Sequence, residues 1–147
     1  MKKMYVLAMM IVLGTVCAPA QKSAVFVDDG VAIHGYDAVA YFTQSKPVKG
    51  ESKFSFKWNG ANWYFASQQD LDLFKANPAK YAPQYGGYCA YGVSQEHKAP
   101  TKPEAWTIVN GKLYLNYNND VRATWQKGQS SYIIKADENW AGIKDKE

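Results

Sequence analysis

Phe54-Ser55-Phe56-Lys57-Trp58-Asn59-Gly60-Ala61-Asn62-Trp63-Tyr64-Phe65 is the stretch that decides the fold class. Phe54 to Trp58 alternates apolar and polar residues, the period of a strand with one buried face. Asn59-Gly60 is the preferred pair for a two-residue type I′ turn, whose central positions both need positive φ. Asn62 to Phe65 then runs back, so the stretch reads as a β-hairpin. Ser67 follows as a helix N-cap with Asp70 in the first turn, and Leu71, Leu73 and Phe74 give the helix an apolar face. Asn77-Pro78 stops it, with one further helical turn expected from Pro78 to Tyr81.

The pattern returns downstream. Ala105 to Val109, Asn110-Gly111, and Lys112 to Tyr117 read as a second hairpin with the same turn chemistry. Asn118 can cap a helix over 119–127, which Gly128 ends. A last helix from Gln129 to about Trp140 carries Ile133, Ala136 and Trp140 on one face. Two hairpins, each followed by helix, predict an α+β domain. On the N-terminal side, Ala24 to Val27 reads as a first strand stopped by Asp28-Asp29-Gly30. Gly35 and Asp37 mark a tight turn or cap before a short helix over 38–42. His97 to Pro103, with Pro100 and Pro103, reads as a loop.

Residues 1–20 read as a signal peptide. Lys2 and Lys3 precede an apolar run from Met4 to Val16, and Ala18-Pro19-Ala20 offers a small-x-small cleavage site before Gln21. That assigns residues 21–147 to a single exported domain, periplasmic or secreted. No later stretch is long enough to cross a bilayer. An alternative reading makes Cys17 the lipid-anchored first residue, although Gly14-Thr15-Val16 lacks the leucine and the small residue of that signal. The full chain carries a formal net charge of +4, which loss of Lys2 and Lys3 lowers further. With no uniformly basic stretch, nucleic acid is not an expected partner.

Tyr85-Gly86-Gly87-Tyr88-Cys89-Ala90-Tyr91-Gly92 gathers three tyrosines, three glycines and the cysteine expected in the mature chain. The glycines allow sharp turns and close backbone approach. This segment is expected to fold back on the first hairpin and its helix. Cys89, His97 and His34 are the candidate metal ligands, a soft thiol with imidazoles suiting copper or zinc. No C-x-x-C or H-x-x-x-H spacing supports them, and a buried thiol among tyrosines is the competing reading. Tyr36, Asp37, Tyr85, Tyr88 and Tyr91 are candidate pocket residues for a flat or apolar ligand, with core packing as the alternative. A thiol-dependent enzyme would need His97 or His34 beside Cys89, with Asp37 as orienter. Asp28-Asp29 reads as turn chemistry, and Asp70 and Asp72 as acids favoured at a helix N-terminus. A lone thiol in an oxidising compartment can also pair two chains.

From Ile33 to about Val93 the chain resembles the YHS domain family. The resemblance rests on His34-Gly35-Tyr36-Asp37-Ala38-Val39-Ala40-Tyr41-Phe42, Trp63-Tyr64-Phe65-Ala66-Ser67, Phe74 to Tyr81, and Tyr85 to Ala90. It is most similar to the exported, stand-alone branch, whose members continue with a segment like 105–140. Related YHS domains accompany heavy-metal-transporting ATPases and some multicomponent hydroxylases, and this implies a binding or accessory role in copper or zinc handling. A metal-handling envelope protein is the implied partner. The paired cysteines of those relatives match Ala66 and Asp70 here, so Cys89 is left as the thiol to carry such a role. A structural or partner-binding module without metal is the alternative.

Overall fold

The computed structural model describes residues 23–146. The expected signal peptide and Cys17 lie outside the described residues. Four strands form the main sheet: β1 (Val27–Asp28), β2 (Val31–Ala32), β3 (Glu51–Trp58) and β4 (Ala61–Phe65), in the order β1-β2-β4-β3. β3 and β4 are the predicted hairpin, with Asn59 and Gly60 at φ 48° and 75°. β2 lies parallel to β4, Val31 opposite Asn62. The first strand was expected over Ala24–Val27, whereas β1 begins at Val27. Phe26 N–H instead donates to the Gly86 carbonyl at 2.9 Å, so this run lies along the glycine-rich stretch rather than the sheet.

α1 (Ala40–Thr43) follows a 3-10 turn at Ile33–Gly35, and α2 (Gln68–Ala76) starts where Ser67 Oγ accepts the Asp70 N–H at 3.1 Å. α3 (Pro78–Tyr81) is the extra turn the sequence predicts. A 3-10 turn at Gln84–Gly87 and α4 (Ala90–Ser94) then carry the chain through the tyrosine–glycine stretch. β5 (Trp106–Val109) and β6 (Lys112–Leu115) form the second hairpin as a separate two-stranded sheet. Asn118 caps α5 (Asn119–Lys127) by accepting the Val121 N–H at 2.8 Å, and α6 (Gln129–Ile143) closes the chain. The architecture is α+β, with both hairpins followed by helices.

Two apolar clusters make the core. The first joins Trp63, Phe65, Leu71, Phe74, Val39 and Tyr41 under the main sheet, and Leu113 and Leu115 of β6 reach into it. The second gathers Tyr85, Tyr88, Ala90, Val93, Trp125 and Ala136, and Tyr114 of β6 reaches into that one. Strand alternation sends successive β6 side chains to opposite faces, so one strand serves both clusters. The tyrosine–glycine stretch therefore packs chiefly on β6, α5 and α6, where the sequence suggested the first hairpin and its helix. The aromatic pattern alone leaves its partner open, because both hairpins offer an apolar face.

Phe74 is wholly buried, its ring 5.1 Å from Trp63, 5.0 Å from Phe65 and 5.7 Å from Trp58. Phe74→Ala is expected to cost about 3–5 kcal/mol in urea unfolding. Gly86 sits at φ 62°, where a Cβ would run into the Ala24 carbonyl. Gly86→Ala is expected to destabilise by about 2 kcal/mol or more in the same measurement.

Candidate functional site

Cys89 stands at the N-cap of α4 and is 2% exposed. Its thiol donates to Asn116 Oδ1 at 3.5 Å, and its sulfur accepts the Gly92 N–H at 3.5 Å. The same Asn116 oxygen accepts the Tyr91 N–H at 3.1 Å. Burial pushes the thiol up from its ordinary value, and the N–H groups of Gly92, Tyr117 and Tyr91 offset part of that. The sulfur is thus a neutral capping group inside the core. Asn116 closes this corner, although it lies 27 residues from Cys89 in sequence and nothing in the spacing pointed to it.

His34 is placed differently. Ile33, His34 and Gly35 have φ of 49°, 50° and 79°, a run of left-handed backbone that includes a β-branched residue. Lys49 Nζ donates to the His34 carbonyl at 2.5 Å and Gly50 N–H to the Gly35 carbonyl at 2.8 Å, which holds the run in place. The imidazole Nε2 lies 2.8 Å from the Thr101 carbonyl and therefore donates to it. Nδ1 lies 3.1 Å from Asp28 Oδ2. Thr101 in turn donates from Oγ1 to the Gly87 carbonyl at 2.7 Å, linking His34 to the tyrosine–glycine stretch. His97 is exposed on the turn after α4. Among the described residues, no three His, Cys, Asp or Glu side chains gather closely enough to hold a metal ion.

The candidate pocket residues do not converge on one cavity. Tyr85 donates from Oη to Asp137 Oδ1 at 2.8 Å inside the second cluster. Tyr91 packs its half-buried ring 5.1 Å from Tyr132. Tyr36 lies under Lys49 Nζ, 4.8 Å from its ring centre. Tyr88 donates to the Ser23 carbonyl at 2.8 Å, and with Phe26, Val27 and Pro100 it lines an apolar cleft of about 330 Å³. The buried Lys98 ammonium sits 5.2 Å from the Tyr88 ring and donates to the Lys144 and Lys146 carbonyls at the end of α6. Pro100 also belongs to a second cleft of about 230 Å³, with His34, Thr101 and Tyr117. A third, of about 320 Å³, places His34 beside Asp28, Lys49 and Tyr64. His34 and Pro100 are therefore the shared walls of a furrow that is apolar at the Phe26–Tyr88 end and charged at the Asp28–Lys49 end.

Asp37 has no exposed surface. Its Oδ1 accepts the N–H groups of Val39 and Ala40 at 2.8 and 3.2 Å, and its Oδ2 accepts that of Ala66 at 2.8 Å. It caps the α1 turn, as the sequence allowed, and also pins the end of β4. Asp70 is largely buried, and burial first, then the neighbouring Asp37, raises its carboxyl to about 6. Asp70 stands in the first turn of α2, where the sequence placed it.

Residues 39–85 match the family model of the YHS domain. No curated protein and no solved structure matches the chain. A native thiol-labelling experiment checks the account of Cys89. The thiol is expected to resist aromatic disulfide reagents in the folded protein and to react at the rate of unfolding as urea is added.

Proposed function

Starting from a chain that carries a YHS domain, we propose a non-enzymatic binding or accessory module that presents the His34 furrow to its ligand and uses Cys89 for packing. The observation that carries this reading is the contrast between the two donors. His34 is held by strained, over-determined backbone on the shared wall of two clefts, whereas Cys89 is sealed behind Asn116. Strain of this kind persists where surrounding contacts enforce it, and here they present an imidazole. A flat or apolar ligand suits the Phe26–Tyr88 end, and a polar group on it would meet His34, Asp28 and Lys49.

A resident copper or zinc ion does not fit the donors present. Closed sites take four ligands and catalytic ones three. Cys89, His34 and His97 are instead a sealed thiol, a doubly hydrogen-bonded imidazole and an exposed imidazole. The absence of an imidazole among the hydrogen-bond partners found for the Cys89 sulfur also supports a non-catalytic reading. Export is part of the proposal and rests on the basic start, apolar run and Ala18-Pro19-Ala20 of the sequence.

Titration of the purified protein with Cu(I) and with Zn(II) tests the assignment. Wild type and Cys89→Ser are expected to bind each ion with equal affinity, within about threefold, with no tight site in either. Tight binding lost in Cys89→Ser overturns the packing role of the thiol. Mass spectrometry of the protein recovered from the cell envelope or medium is expected to find Gln21 as the first residue.

A further inference from the structure

We infer that the charged end of the His34 furrow takes a small zwitterion of the α-amino-acid type, its carboxylate toward Lys49 and its ammonium toward Asp28 and Asp29. The inference rests on the reading of the furrow as a binding site and adds the class of ligand. One cleft of about 320 Å³ is lined by side chains of both signs, Asp28 and Asp29 against Lys49, together with His34 and Tyr64. In a cleft of this size a few placed polar groups fix how a small molecule lies.

The two signs are held apart by the backbone that carries them. Lys49 Nζ donates to the His34 carbonyl at 2.5 Å and lies 4.8 Å from the centre of the Tyr36 ring. Gly35, at φ 79°, leaves room for it: a Cβ there would come within 3.3 Å of the Tyr64 ring and 3.5 Å of Lys49 Nζ. On the acidic side, Asp28 Oδ2 rests 3.1 Å from His34 Nδ1. Asp29, at φ 50°, shares the β1–β2 turn with Gly30 at φ 79°. Among the described residues, no acid stands within ion-pair distance of Lys49 and no cation within that distance of Asp29. An ammonium has three donors, and Lys49 spends one on a neutral carbonyl, which leaves its charge uncancelled.

A ligand of one sign meets the wrong charge in this cleft. An anion drawn to Lys49 faces Asp28 and Asp29, and a metal cation drawn to the acids faces Lys49. A neutral molecule leaves both signs without a partner. A zwitterion offers each side its opposite, and the same groups reject its singly charged competitors. His34 also walls the adjoining cleft of about 230 Å³, with Pro100 and Tyr117, so an apolar side group on the zwitterion has rings beside it. Asp28, Asp29 and Lys49 are exposed, so each contact is modest and the affinity falls with salt.

NMR titration of the isotope-labelled protein at low ionic strength tests this with L-phenylalanine, phenylpropionate, phenethylamine and phenethyl alcohol. These share a ring and spacer and carry both charges, the negative one, the positive one and neither. Phenylalanine is expected to shift the amide signals of His34, Gly35 and Lys49, and to bind about tenfold more tightly than either singly charged compound. Lys49→Met is expected to bring phenylalanine down to the affinity of phenethylamine, with phenethylamine itself unaffected. Asp29→Asn, at a turn position that asparagine tolerates, is expected to weaken phenylalanine severalfold and phenylpropionate not at all. The variants are read separately, so the failure of one to fold leaves the other to decide. Equal affinities for phenylalanine and phenethyl alcohol, or phenylalanine binding undiminished by salt, overturn the zwitterion and leave the furrow as a binding site. No shift at His34 with any of these compounds overturns the zwitterion and the furrow together.

Discussion

The two halves of this molecule are joined by a four-residue strand with almost nowhere to put a polar side chain. Leu113, Tyr114 and Leu115 of β6 are each at most 3% exposed, and they face alternate sides. Alternation is a property of the extended backbone, so burial on both sides forces two separate clusters instead of one enlarged core. The main sheet and α2 close over Leu113 and Leu115, while the tyrosine–glycine stretch, α5 and α6 close over Tyr114. Asn116, directly after β6, then spends its buried amide oxygen on Tyr91 and Cys89. The position of the thiol is thus a consequence of where β6 ends.

The residues that stand out in the sequence divide sharply once placed. Asp37, Tyr85 and Cys89 are internal fasteners, each using its polar atoms on neighbours within the chain. His34 is also fastened, to Thr101 and Asp28, yet it stays half-exposed on a cleft wall. A fastener can be silenced by burial, but a group that pairs with backbone from one side and faces open space on the other can still meet a ligand. That difference in placement is the ground for proposing a binding role for the furrow and a structural one for the thiol.

Legibility followed the range of the interaction. Both hairpins, their Asn-Gly turns, the Ser67 and Asn118 caps and the Pro78 turn were readable, because each depends on neighbours within a few residues. Strand β1 slipped from its expected place because Phe26 found Gly86, sixty residues away, as its backbone partner. The partner of the tyrosine–glycine stretch was misread for the same reason. At the candidate site, His34, Tyr88 and Asp37 were identifiable by residue type. Thr101 and Asn116 were not, since contacts across 67 and 27 residues leave no local pattern.

One physical cause, removal from water, acts on two of these side chains with opposite consequences. Cys89 is pushed higher by burial, which favours the neutral thiol over the thiolate that nucleophilic attack and metal ligation need. Asp70 starts from 3.8 and the same penalty carries it to about 6, into the range where modest acidification changes its charge. Burial therefore makes the sulfur unresponsive and the carboxyl responsive, and the distinction comes from where each group starts and from its neighbour. Cys89 faces a neutral amide that accepts its hydrogen, whereas Asp70 has a second acid, Asp37, among the causes that raise it. The group that chemical intuition singles out in the sequence is thus a packed, neutral thiol.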